Sequence, residues 1–204
     1  MMRSVAVAAA LVLLAAPGAA QRPGTIAQVQ KLLDTSRVFC GRFEQAKTLV
    51  GVRQPVRSEG RFCVAAGKGI LWRTLHPFAS SLLVTPEAIT EMRNGEVSRR
   101  LSAADEPGVR MIDDLLFSLL GGDLSRLEAS FDVTAQVADA EWSARLVPRA
   151  SGMRAALAGI DLHGGAFVRR IVLREAGGDV TTIGFSAIAV GASAMQPEEA
   201  HLLE

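Results

Sequence analysis

The side chains of this 204-residue chain that could do chemistry are few: three histidines, two cysteines and one adjacent pair of aspartates. His76 precedes Pro77 at the end of an alternating run, His163 is followed by Gly164-Gly165, and His201 lies in the C-terminal tail. General acid–base or nucleophilic catalysis needs such a group beside a second one that activates or orients it. The chain holds no G-x-S-x-G nucleophile elbow, no H-E-x-x-H zinc motif and no phosphate-cradling P-loop. Asp113 and Asp114 fall on a helical pattern, where adjacent residues point in different directions, so they read as a solvated face. The glycine pairs 164–165 and 177–178 lack a following helix and read as hairpin turns. No catalytic set emerges, and no cofactor is expected.

The cysteines depend on where the protein works. Arg3 is followed by an unbroken apolar run, Val5 to Ala16, then by Pro17 and the small residues Gly18-Ala19-Ala20. This is the layout of a secretory signal cleaved after Ala20, leaving one mature domain over residues 21–204. The run is shorter than the roughly 20 residues a transmembrane span needs; an anchor is the alternative. In an oxidising compartment Cys40 and Cys63 suggest one disulfide. A hairpin turning near Gly51-Val52 would set residues whose numbers sum to about 103 face to face, and 40 and 63 satisfy that. Two buried free thiols or a metal pair are the competing readings, although no nearby His or third Cys supports a metal.

The elements that would position these residues follow from periodicity. Thr25-Ile-Ala-Gln28 fits a capping box, and Ile26, Val29 and Leu33 recur at helical spacing. Phe39, Gly41 and Phe43 then share one face of a strand, Phe62 and Val64 of a second, and Ile70, Trp72 and Thr74 of a third. Short strands are expected at Ser81–Thr85 and Ala88–Arg93, and Asn94-Gly95 signals a hairpin into Glu96–Leu101. The period then changes: Met111, Ile112, Leu115, Leu116 and Leu119 lie three or four apart before Gly121-Gly122. That helix reads either as a core helix on a sheet or as a lid with an oily face. Five more strands are expected over Phe131–Val137, Trp142–Leu146, Met153–Leu162, Phe167–Leu173 and Val180–Ala187, with a loose, solvated tail after Val190. The fold class is α+β: one strongly curved antiparallel sheet of about 11 strands with two or three helices. With 22 basic and 21 acidic residues the chain lacks the basic excess of a nucleic-acid binder.

Residues 39–90 carry a family pattern: Phe43-x-Gln45-x-Lys47, Ser58-Glu-Gly60-Arg-Phe62, Gly69-Ile-Leu-Trp72 and Pro77-Phe78. With the leader, the early helix and the oily helix after the sixth strand, it resembles the LolA-like outer-membrane lipoprotein carriers, especially their LolA-related branch. The resemblance implies an incomplete β-barrel closed by helices around an apolar cavity for acyl chains. It puts Ile70 and Trp72 in that cavity, with Phe43, Phe62 and Val64 following by parity, and makes Met111, Ile112, Leu115, Leu116 and Leu119 the lid. Where such carriers place a latch arginine, this chain has Ala65-Ala66-Gly67-Lys68, so Lys68 is the candidate latch, with the charge but not the fork of donors.

The function so implied is a soluble, monomeric periplasmic carrier that shuttles lipoprotein or lipid cargo from an inner-membrane exporter to an outer-membrane acceptor. A lipid or envelope-stress sensing module of the same fold and a small exported hydrolase are the alternatives. The cavity assignment predicts that Ile70→Glu abolishes lipid retention without unfolding the protein.

Overall fold

The computed structural model describes residues 22–102, 117–118 and 124–203. The expected leader and the residues expected as a lid, Met111, Ile112, Leu115, Leu116 and Leu119, lie outside the described residues. Among the described residues twelve strands form one antiparallel sheet: β1 Arg22–Gly24, β2 Val38–Thr48, β3 Val56–Ala65, β4 Gly69–His76, β5 Ser80–Val84, β6 Ala88–Arg93, β7 Glu96–Ser102, β8 Phe131–Ala138, β9 Glu141–Pro148, β10 Leu157–Gly164, β11 Val168–Glu175 and β12 Val180–Val190. Across the sheet they run β1-β8-β9-β10-β11-β12-β2-β3-β4-β5-β6-β7. Neighbours in the chain are mostly neighbours in the sheet. The exceptions are β12 against β2, which joins the two halves, and β1 against β8. The sheet does not close, so this is the expected curved, incomplete barrel, with β1 and β7 as its ends.

The additional strand is β1, three residues held by pairing with Val137, Gln136 and Ala135 of β8. Arg-Pro-Gly has no alternation to read, so only its tertiary partner makes it a strand. Helix α1, Ile26–Leu32, follows with both arms of the Thr25/Gln28 capping box made, and it buries Ile26 and Val29. The β6–β7 hairpin turns on Asn94 and Gly95, both at positive φ, as a type I′ connection requires.

Alternation divides the sheet into two faces. One carries the main core: Phe39, Phe43, Phe62, Val64, Ile70, Trp142, Leu146, Ile160, Leu162 and Phe185, with α1 packed on it. The other carries a small second core of Cys40, Cys63, Ala65, Leu71 and Leu203. The residues expected as a solvated tail build that second core instead. After β12 the chain makes a 3-10 turn, Ala192–Ala194, and a helix, Pro197–Leu202, laid over the outer face. Glu199 there is 1% exposed and Leu203 is buried. The segment from Met153 also departs from a simple strand: Ser151–Arg154 forms one helical turn and β10 begins at Leu157.

Candidate functional site

Cross-strand register places the aromatic side chains of four strands on the core face. Phe43 pairs with Phe185, Gly41 with Phe62, and Phe62 with Trp72. Phe43 of β2 and Trp72 of β4 stack with ring centroids 3.8 Å apart, although β3 runs between them. Gly60 makes this possible. It sits opposite Phe43, and a Cβ there would lie 2.9 Å from the Phe43 ring and 1.9 Å from the Arg73 carbonyl oxygen. Phe185 closes edge-on against both Phe62, at 5.0 Å, and Trp72, at 6.0 Å. Edge-to-face and offset pairs of this kind add to what area burial contributes.

Of the five residues expected in a cavity, four form the base of this face. Phe43, Phe62, Val64 and Ile70 are each no more than 2% exposed. Trp72 is half-buried, and so are Leu82, Leu101, Val133, Val137, Leu173 and Ile183, which pack against the same core. The apolar surface that a bound molecule could touch is therefore offered by the half-buried set, of which sequence reading singled out only Trp72. Phe117, also partly buried, packs against the same core, and Ser118 beside it is buried. Lys68 is exposed in the β3–β4 turn, its N–H donating to the Ala65 carbonyl.

Cys40 and Cys63 face each other in register and form a disulfide. It lies under the C-terminal helix, where Glu199 is the focus. Arg61 Nε donates to Oε1 at 3.0 Å and Arg61 Nη2 to Oε2 at 3.2 Å. The Gln196 N–H donates to Oε2 at 2.8 Å, and Arg73 Nη1 lies 3.5 Å from Oε1. Burial alone would raise the carboxyl's pKa; the Arg61 hydrogen bonds, the Gln196 N–H and the two guanidinium charges outweigh it and hold the pKa below the usual range. Glu199 Oε2 also touches Cys63 Sγ at 3.3 Å. Cys40, Cys63 and Glu199 are grouped like metal ligands, but the disulfide occupies both sulfurs.

The outer surface of β8, β9 and β10 holds a groove of about 380 Å³ lined by Thr134, Gln136, Ser143, Arg145, Asp161 and His163. A serine, a histidine and an aspartate share this face, with Ser143 directly opposite His163. Asp161, however, takes a hydrogen bond from Arg145 Nε at 2.7 Å and two from Arg174, at 2.7 and 3.1 Å. Those bonds, the one from Arg145 first, lower its pKa. Its oxygens point at guanidinium groups, not at an imidazole, so the three residues do not assemble a triad in which the acid orients the base. His76 ends β4, and its peptide bond to Pro77 is cis.

The chain has no match among curated proteins. Solved structures similar to it include a LolA superfamily protein from Nitrosomonas europaea (10% identity, TM-score 0.47, 88% of this chain and 95% of that one). An outer membrane lipoprotein-sorting protein domain from Vibrio parahaemolyticus gives 9% identity and a TM-score of 0.45, over 88% and 97%. The Pseudomonas aeruginosa MucA/MucB complex gives 15% and 0.44, over 88% of this chain and 59% of that one. Scores below 0.5 do not establish kinship by themselves. The sequence pattern of one family does: residues 15–203 match the outer membrane lipoprotein carrier protein LolA-like family, and the chain belongs to it.

Proposed function

We propose that the protein is a periplasmic carrier that holds acyl chains on the apolar face of its open sheet and moves lipoprotein or lipid cargo from an inner-membrane exporter to an outer-membrane acceptor. The observation that carries this reading is the aromatic floor of β12, β2, β3 and β4, which ends in a half-buried Trp72 on a face that also carries half-buried aliphatic side chains. Burying an acyl chain gains about 0.8 kcal/mol per CH₂, so a chain of ~15 carbons gains on the order of 12 kcal/mol gross. A carrier must give that cargo up again, which favours a cover that is cheap to displace. Ser118 fits such a cover: among the described residues its buried hydroxyl has no hydrogen-bond partner, a cost of about 1–3 kcal/mol that exposing it to water would relieve. No enzymatic activity is proposed, because the outer-face serine, histidine and aspartate do not assemble.

Native mass spectrometry of protein purified from its own periplasm tests the reading. A co-purifying lipid of defined mass is expected. An empty protein that hydrolyses acyl esters would overturn it, and an empty protein in a stable protein complex would favour the sensing module. Ile70 is too deeply buried to serve as the probe, because Ile70→Glu would place a carboxylate in the core and unfold the sheet. The better variant is Trp72→Ala. It is expected to keep the fold and retain several-fold less lipid in the same measurement.

A further inference from the structure

The aromatic floor does not end in apolar residues. In register, Phe62 is followed by Trp72 of β4, Trp72 by Leu82 of β5, Leu82 by Glu91 of β6, and Glu91 by Arg99 of β7 at the end of the sheet. Directly opposed residues share a face, so a charged pair sits on the same side as the floor. Chain neighbours confirm the side independently: Ile89, two residues before Glu91, is in the main core, and Leu101, two residues after Arg99, packs against it. At about 4.8 Å per strand, Arg99 stands roughly 14 Å along the sheet from Trp72.

The ion pairing at this rim is uneven. Glu91 would be the natural partner of Arg99, but its Oε1 is taken by Arg93, which donates from Nε at 2.9 Å and approaches with Nη2 at 2.8 Å. Among the described residues Arg99 is exposed and makes no ion pair. Glu96 stands directly opposite Arg93, so two carboxylates flank Arg93, and the donor fork of Arg99 is the one left over at the point where the apolar row meets water. A guanidinium fork fits a phosphate with two parallel N–H···O bonds.

Resting on the carrier reading, we propose that Arg99, with Arg93 beside it, binds the phosphate of an anionic acyl-lipid headgroup while the chains lie along Leu82 and Trp72. The cargo is thus an amphiphile whose polar end is fixed at β6–β7, and Arg99 sets its direction. Glu91 acts as a positioning residue by holding Arg93 at the rim.

The test uses the delipidated full-length mature protein and three probes: a phosphatidylglycerol, a diacylglycerol with the same chains, and glycerol 3-phosphate without chains. Binding is followed by quenching of tryptophan fluorescence and by native mass spectrometry. Arg99→Gln is expected to weaken phosphatidylglycerol about tenfold, the loss of a charge-assisted contact. Diacylglycerol binding and the melting temperature should be unchanged, and Arg99→Lys should recover part of the loss. An equal loss for both lipids, or no loss for either, overturns the headgroup assignment and leaves the carrier reading standing. Glycerol 3-phosphate binding as tightly as the lipid would make this a soluble-phosphate site and also overturns the assignment. If the wild-type protein binds neither lipid, the carrier reading itself falls.

Discussion

At Glu199 the balance between burial and partners decides the outcome. A buried carboxylate is costly unless hydrogen bonds and opposite charge compensate it; here Arg61, Arg73 and the Gln196 N–H do so. Its folded pKa is depressed, so its contribution is complete above its ordinary value of 4.5 and is lost as the pH falls through the folded value. Glu199→Gln is expected to cost about 2 kcal/mol at pH 7, measured as a lower urea midpoint. The gap between wild type and variant should close as the pH falls from 4.5 through the folded value. Asp161 gives the contrast. Its pKa is lowered too, but Arg145 is 65% exposed. Arg145→Ala should therefore move the midpoint by less than about 1 kcal/mol. Gly60→Ala acts by sterics rather than charge. The added Cβ meets the Arg73 carbonyl oxygen at 1.9 Å, and about 3 kcal/mol or more should be lost, with the Phe43–Trp72 stack disturbed in near-ultraviolet circular dichroism.

The elements differ in how they declare themselves. The β2–β3 hairpin was legible because one turn near Gly51 fixes every pair along it, so the Cys40–Cys63 disulfide followed from counting. Helix α1 was legible from Thr25 and Gln28. The C-terminal helix was not. Pro197-Glu198-Glu199 looks solvated in isolation, and only Arg61 and Arg73, more than a hundred residues earlier, make a buried Glu199 tolerable there. That helix also shields the disulfide. Replacing both cysteines by alanine is expected to cost about 3 kcal/mol in urea unfolding, in line with the loop it closes. In the intact protein, Glu199→Gln should speed reduction by dithiothreitol several-fold, read by mass after alkylation. Protection equal to wild type would mean that the second core, not the ion pair, holds the segment down.

Across the whole molecule, the open sheet leaves one large face with a buried aromatic base and half-buried aliphatic walls. A ligand that binds only the folded state adds stability by mass action, about 2.7 kcal/mol at a hundred times Kd. Delipidated protein should therefore melt lower than the purified form and regain its melting temperature on adding phosphatidylglycerol, as scanning calorimetry would show. What the sequence alone determined is what depends on near neighbours: the α+β class, eleven of the strands, the capped helix, the hairpin register and the aromatic parity of Phe43, Phe62 and Trp72. What only the tertiary structure decided depends on distant partners. It set the three-residue β1, the folded C-terminal segment, the depth of Ile70 and the row that carries Trp72 out to Arg99. Alternation tells which face a side chain takes. How deep it lies on that face, and what it meets there, is fixed by strands whose place in the sheet no local pattern records.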